Sequence, residues 1–191
     1  MLRRVFRNRD GATIVEFALV APVLLLMLFG VFDLSYNMYS TAILRGAMQD
    51  AARDSTIEYA PTDVIDAAVR EQVMRVAPGA TLTFERKAYA AFGEISQPED
   101  FEDENGDGSC NMGEAFEDAN GNGLYDTDRG IVGQGGSRDA VVYSATMSYR
   151  RMFPIAGFAG VPEDFTTTAQ AVLRNQPYDN TGGAPLVGNC P

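Results

Sequence analysis

An apolar run near the N-terminus constrains the fold of this chain more than any other feature. Residues 12–32 contain a single charged residue, Glu16. As an α-helix, this run would be roughly 31 Å long, about the thickness of the hydrocarbon core of a membrane. It is longer than the apolar part of an ordinary secretory signal, and no pair of small residues follows Phe32 as a cleavage site. The sequence therefore predicts a transmembrane helix.

The charges beside this run predict its direction through the membrane. Residues 1–11 include four arginines and one acidic residue. Arginines next to an apolar span favour the cytoplasmic side. We therefore expect a cytoplasmic basic leader at 1–11, a transmembrane helix at 12–32 in contact with membrane lipid, and an extracytoplasmic domain at 33–191.

The distribution of charge and the composition exclude several functions. The 191-residue chain has a net charge of −11, and eleven Asp or Glu residues but no Lys or Arg lie between Glu99 and Asp128. Nucleic-acid binding needs clustered cations, so no nucleic-acid partner is expected. The chain has no histidine, and no nucleophile and base occur in a recognisable arrangement. We therefore expect that the protein is not an enzyme.

Glu16 needs an explanation because a carboxylate inside a membrane is energetically unfavourable. It lies near one end of the run, so its side chain could simply reach the headgroups. However, Gly11 followed after four residues by Glu16-Phe17 resembles the processing site of type IVb prepilins, where a membrane-embedded prepilin peptidase cuts after the glycine. The resemblance implies a mature N-terminus at Ala12, one helical turn from Glu16. In a filament, Glu16 of one subunit would attract the Ala12 ammonium of the subunit ahead.

A longer N-terminal pattern consists of GATIVEFALVAP at 11–22, the rest of the apolar run, and Ala51-Ala52-Arg53 further on. This pattern resembles the TadE-like family, the minor pseudopilins of the tight-adherence (Flp, type IVb) pilus system. The family signature is G-x-x-x-x-E-F-A-L-x-x-P, an apolar stretch, and a helix that ends in an A-A-R segment. Pro22 occupies the proline position of the signature and predicts a kink in the span.

This resemblance implies a role in pilus assembly as an initiating or tip subunit. The implied partners are a prepilin peptidase, sister pseudopilins, the major Flp pilin and the inner-membrane assembly platform. The implied location is the bacterial inner membrane, with a single span, a cytoplasmic N-terminus and a periplasmic C-terminal domain, or the pilus or cell surface after assembly. A different hypothesis is a membrane-anchored, calcium-dependent adhesin or binding module that does not enter a filament.

Helical periodicity continues beyond the membrane run. One predicted face carries apolar and aromatic residues that should pack on the globular domain: Tyr36, Tyr39, Ile43, Ala47 and Ala51, with Leu44 and Met48 beside them. A second predicted face is polar: Asn37, Thr41, Arg45, Gln49 and Arg53.

The rest of the chain predicts one more helix and a small sheet. The helix should start at Pro61-Thr62-Asp63 with an N-capping residue and end before Pro78-Gly79. Alternating patterns predict strands at 80–90, 140–152 and 165–174. The expected fold is therefore α+β and pilin-like: a long N-terminal helix packed on a small antiparallel sheet, with a calcium-loop insertion.

The acidic insert at 99–130 contains a complete calcium-loop pattern, D-x-[DN]-x-[DN]-G-x5-E, beginning at Asp103. Calcium prefers six to eight oxygen ligands, which alternate side chains, one backbone carbonyl and a final bidentate glutamate can supply. The predicted ligands are Asp103, Asn105, Asp107, the carbonyl of Ser109, and Glu114.

The pattern starts again at Asp118, so one or two calcium ions are expected as cofactors. The predicted ligands of this second loop are Asp118, Asn120, Asn122, the carbonyl of Leu124, and Asp126. Its twelfth residue is Arg129, which cannot close the loop, and Glu117 or Asp128 could substitute. The loops are too close for paired EF-hands and are similar to the tandem D-x-N-x-N-G loops of secreted bacterial proteins. The alternative is a solvated, disordered acidic linker.

Two cysteines complete the set of candidate residues. Cys110 lies inside the first loop, and Cys190 lies in the C-terminal tail at 177–191. An extracytoplasmic domain permits oxidation. A Cys110–Cys190 disulfide is therefore expected, with an intermolecular bond and free thiols as the alternatives.

Overall fold

The computed structural model describes residues 10–55, 61–153, 157, 160–176 and 186–191. Most of the predicted basic leader and residues 177–185 of the predicted tail lie outside the described residues.

The longest element is helix α1, Asp10–Ser55, which has 46 residues and continues through Pro22. From residue 13 to residue 32 its side chains are exposed along nearly the whole length, including Phe17 at 69% and Leu19 at 72%. Its most apolar 18-residue window has a mean hydropathy of 2.5. Among the described residues, α1 is the one helix long and apolar enough to cross a membrane. This fits a single-pass membrane protein.

The second half of α1 packs on the rest of the domain, but its buried stripe differs from the predicted one. Leu44, Ala47 and Met48 are buried as expected. The sequence pattern places Asn37 on the polar outer face and Tyr39 on the packed face, and both predictions are wrong, since Asn37 is 5% exposed and Tyr39 is 56% exposed. Asn37 is buried because the Tyr149 hydroxyl donates a hydrogen bond to its Oδ1, at 2.8 Å.

Helix α2, Thr62–Met74, follows and packs on α1. Ile65, Val69 and Val73 form its buried face. The N-cap position is Pro61, and no side chain caps it. The prediction of an N-capping side chain is therefore wrong. The first turn of the helix is closed by backbone hydrogen bonds, which the amides of residues 64 and 65 donate to the Pro61 carbonyl.

Four antiparallel strands form the main sheet in the order β3-β1-β4-β5. They are β1 (Thr81–Tyr89), β3 (Ile131–Val132), β4 (Ala140–Arg150) and β5 (Asp164–Arg174). The alternation predicted for β4 is confirmed, because the side chains predicted on one face are all buried: Val141, Tyr143, Ala145, Met147 and Tyr149. These side chains and the buried faces of both helices form the hydrophobic core.

A second, two-stranded antiparallel sheet joins the acidic insert to the C-terminus. Strand β2 is Ala115–Asp118 and strand β6 is Leu186–Asn189. Neither these strands nor β3 can be predicted from the sequence, because runs of two to four residues carry too little periodicity. The α+β class and the long helix on a small antiparallel sheet are confirmed.

Candidate functional site

The residues of the predicted processing site all lie on α1. Glu16 and Ala12 are four residues apart in the helix, which places them one turn apart on the same face. Glu16 is exposed, and within the described part of the chain its carboxylate forms no ion pair. The carboxylate is therefore accessible to a cation from outside the chain.

The first predicted calcium loop is folded around the carboxylate of Asp103. Asp103 Oδ1 accepts a hydrogen bond from the amide of Gly106 at 2.7 Å, and Oδ2 accepts one from Gly108 at 2.9 Å. Asn105 Oδ1 accepts one from Asp107 at 2.8 Å. Gly106 and Gly108 have φ values of 76° and 75°, a left-handed conformation that glycine adopts without strain.

The second loop repeats this arrangement around Asp118. Its Oδ1 accepts a hydrogen bond from the amide of Gly121 at 2.7 Å, and its Oδ2 accepts one from Gly123 at 2.8 Å. Asn120 Oδ1 accepts one from Asn122 at 3.0 Å. Gly121 and Gly123 also have positive φ values, 74° and 78°. The two loops therefore have the same local backbone structure.

A buried glutamate closes each loop. Glu114, the twelfth residue of the first loop, is 3% exposed. Its Oε1 accepts a hydrogen bond from the amide of Glu104 at 3.1 Å, and its Oε2 accepts one from Asn111 at 2.8 Å. These amides belong to the second and ninth positions of the loop.

In the second loop, this role belongs to Glu99, which lies outside the loop and is 1% exposed. Glu99 Oε1 accepts a hydrogen bond from the amide of Ala119 at 2.9 Å, and Oε2 accepts one from Asp126 at 3.0 Å. These are again the second and ninth positions. Glu99 therefore takes the place that Arg129 cannot fill.

The two halves of the insert are related by an approximate twofold axis. Phe101 and Phe116 pair in an antiparallel bridge at its centre. On one side, the Glu102 amide donates to the Ala115 carbonyl, and on the other, the Glu117 amide donates to the Asp100 carbonyl, both at 2.8 Å. Glu99 begins the first half of the insert but closes the second loop. Glu114 begins the second half but closes the first loop. Each half therefore supplies the closing glutamate of the other.

Each half also contains a carboxylate that is paired with an asparagine amide. Asn111 Nδ2 donates to Asp107 Oδ2 at 2.7 Å, and in the other half Asn120 and Asn122 donate to Asp126 Oδ2 at 2.7 and 2.6 Å. In the described ranges, no three His, Cys, Asp or Glu side chains converge on one point. The oxygen donors required for calcium are present in the order of the motif.

Glu117 and Asp128, the two residues that could substitute in the second loop, both contact cations outside it. Glu117 accepts a hydrogen bond from the Arg129 guanidinium at 3.3 Å, and Asp128 accepts one from Lys87 Nζ at 2.5 Å and one from the Tyr89 hydroxyl at 2.9 Å. Burial raises the pKa of Asp128, but the hydrogen bonds from Lys87 and Tyr89 outweigh burial and hold that pKa below its ordinary value. Both carboxylates therefore have partners outside the second loop.

The calcium-loop motif does not identify Glu99, because the motif lies within one loop and Glu99 lies outside the second loop. The sequence signal is a repeat of E-x-F-E-D-x-N-G-x-G, at 99–108 and again at 114–123. The repeat includes the glutamate four residues before each first aspartate, and so identifies Glu99 and Glu114 as equivalent.

The predicted disulfide is present and links the first loop to the C-terminus. Cys110 and Cys190 are bonded, with their Cα atoms 5.4 Å apart. The Cys190 amide also donates a hydrogen bond to the Glu114 carbonyl at 2.9 Å. The closing glutamate of the first loop is therefore held next to a covalent crosslink.

Comparison with known proteins bears on the N-terminal part of the chain. Residues 11–53 match the family model described as TadE-like protein. No curated protein and no solved structure matches the chain. The TadE-like resemblance is therefore confirmed over the candidate membrane span and its helical continuation. This family implies involvement in the Tad pilus system with other Tad components. The family is not known as enzymatic.

Proposed function

We propose that this protein is a minor pseudopilin that is processed after Gly11 and enters the Tad pilus as an initiating or tip subunit. The observation that carries the proposal is the first half of α1: an exposed apolar helix with one accessible carboxylate, Glu16, rigidly continuous with a folded domain. A helix with such a surface is stable in lipid or against the helices of other subunits, and not in water.

Charge pairing explains why Glu16 would be tolerated at this place. Cleavage after Gly11 creates an ammonium group on Ala12. In a low-dielectric environment an isolated carboxylate is strongly unfavourable, and a cation within about 4–6 Å offsets much of this penalty. Pairing of Glu16 with the Ala12 ammonium of the neighbouring subunit therefore favours one axial position, or register, of the subunit relative to that neighbour.

The register role is tested by replacing Glu16 with Gln, which keeps the shape of the side chain and removes the charge. The variant should insert into the membrane at the wild-type level but be depleted from isolated pilus assemblies. Gln49→Ala, at an exposed position of the same helix, is the matched control and should be incorporated normally. Wild-type incorporation of Glu16→Gln would refute the register role.

We further propose that residues 99–128 bind two calcium ions, one in each half of the insert. Each half offers three carboxylates and one backbone carbonyl, together with one asparagine in the first half (Asn105) and two in the second (Asn120 and Asn122). In the first half the carboxylates belong to Asp103, Asp107 and Glu114; in the second they belong to Asp118, Asp126 and Glu99. With a bidentate glutamate this makes six oxygens in the first half and seven in the second, within the range that calcium prefers. The bound ions would neutralise like charges that otherwise repel one another.

Calorimetric titration of the full-length protein in detergent tests this proposal. We expect two sites with dissociation constants of about 0.1–1 mM, as in other extracellular modules. Saturating calcium should raise the free energy of unfolding by about 1–2 kcal/mol per site, because the ions bind the folded state. Magnesium is the control and should bind more weakly, since it demands a smaller octahedral site. No heat of binding at millimolar calcium would refute the proposal.

A further inference from the structure

The segment that follows β4 returns to the membrane end of α1. The ring centroid of Phe153 lies 6.0 Å from that of Phe29 and 6.0 Å from that of Phe32. The rings are near parallel, with interplanar angles of 24° and 27°. Both partners belong to the apolar run 12–32, so Phe153 is packed against the helix at the outer end of the predicted span.

A buried polar network fixes this position. The guanidinium of Arg151 bonds to the carboxylate of Asp33, which is 2% exposed, and Arg151 Nε donates to the Pro162 carbonyl at 3.0 Å. Asn37 Nδ2 donates to Asp33 Oδ2 at 2.9 Å. Asp33 directly follows the span, so the network holds both ends of the β4–β5 connection at the level where the helix leaves the membrane.

The connection has the composition of a membrane-interface segment. Residues 152–161 contain no charged side chain, although charged residues flank them at Arg151 and Glu163. Met152 is 63% exposed and Val161 is 37% exposed. Phe29 lies about 4.5 Å deeper along the helix axis than Phe32, so a ring that contacts both of them reaches the edge of the hydrocarbon region when the helix spans a membrane.

We propose that Met152 and Phe153 form a second membrane contact, inserted into the leaflet on the side of the globular domain. The occupant is lipid because this surface continues the lipid-facing surface of α1. Aromatic rings are favoured at this depth. Two separate contacts would hold the domain at a fixed tilt to the membrane, whereas a single helix would allow it to rotate.

The absence of tryptophan from the chain permits a direct test. Single-tryptophan variants of the full-length protein are reconstituted into phosphatidylcholine vesicles with and without brominated acyl chains, which quench tryptophan on contact. Phe153→Trp is the test variant, and Met152→Trp, at an exposed position, is the second in case the first does not fold. Phe32→Trp reports the span itself. Phe92→Trp is the control, since Phe92 lies beyond the opposite end of β1, where Tyr89 pairs with Ala140.

We expect quenching of Phe153→Trp and Met152→Trp to reach at least half that of Phe32→Trp, with blue-shifted emission, and Phe92→Trp to be unquenched. Quenching of both test variants at the Phe92→Trp level would overturn the proposal. Blue-shifted but unquenched emission would overturn it too, because a second protein copy would then cover the surface. Loss of quenching at Phe32→Trp would overturn membrane anchoring as well, which separates the two failures.

Discussion

Replacing Glu99 with Gln should remove one of two calcium sites and leave the other intact. Glu99 is 1% exposed and its two oxygens accept backbone hydrogen bonds at 2.9 and 3.0 Å. Glutamine keeps one acceptor, but its amide group faces a backbone donor and cannot act as a bidentate ligand. The substitution therefore removes the closing ligand and one hydrogen bond while keeping the side-chain volume.

The size of the effect follows from the lost ligand, because the hydrogen bonds of Glu99 form without the ion and do not by themselves set its affinity. Loss of a group that only supports a metal ligand typically weakens metal binding by about 10- to 100-fold, and loss of a bidentate ligand should weaken it at least as much. A site with a dissociation constant of about 0.1–1 mM would then weaken to about 1–100 mM or more. At about 1 mM calcium the second site would be at most half filled.

Calorimetric titration of four full-length proteins provides the assay. Wild type should bind two ions, and Glu99→Gln should bind one. Glu114→Gln should also bind one, because it is the equivalent position of the other half. Glu102→Gln, at an exposed position in the same segment, is the control and should bind two. Two ions bound to Glu99→Gln with wild-type affinity would refute the exchange of closing glutamates.

Other predictions concern stability, measured by denaturant unfolding. The double variant Cys110→Ser/Cys190→Ser should lose about 2–4 kcal/mol, since the disulfide closes a long loop; an unchanged midpoint would contradict this. Arg151→Ala should lose about 3–5 kcal/mol, because it leaves the Asp33 carboxylate buried without its cation; a loss under about 1 kcal/mol would show that water reaches this carboxylate. The pKa of Asp128 is lower in the folded state, so its contribution is present above its unfolded pKa of about 3.9 and is lost as the pH falls through the folded pKa. Asp128→Asn should therefore reduce the acid dependence of stability, and an acid limb as steep as that of the wild type would contradict the assignment.

The parts of the fold that periodicity could predict are those with long, regular patterns. The alternation of Tyr143, Ala145 and Met147 in β4 identifies the buried face, and all three are fully buried. The 46-residue α1 is evident from its apolar run and the helical spacing beyond it. In both elements, local hydrophobic periodicity and tertiary burial agree.

Helical periodicity does not predict the burial of polar residues whose hydrogen-bond partners lie far along the chain. Asn37 looks like a surface residue because its own helix gives no reason to bury it. Its partner Tyr149 lies 112 positions further along the chain, and no helical pattern contains that information. Asp33 is buried for the same reason, through its bond to Arg151.

The sequence predicts the candidate calcium ligands that lie within each loop, but not the glutamate that closes the second loop from outside it. The first five loop ligands follow from a motif that occupies consecutive residues, from Asp103 to Glu114. The assignment of Glu99 depends on the antiparallel pairing of Phe101 with Phe116, which places each glutamate beside the opposite loop. The equivalence of Glu99 and Glu114 is present in the sequence only as the repeat of 99–108 at 114–123.

The proposed role of Glu16 requires that proteolysis after Gly11 gives its carboxylate a cation to pair with. Mass spectrometry of the N-terminal peptide of the protein, isolated from cells with an active prepilin peptidase, tests this requirement. We expect the mature chain to begin at Ala12. A native chain that retains Met1 and the arginine-rich leader would contradict it.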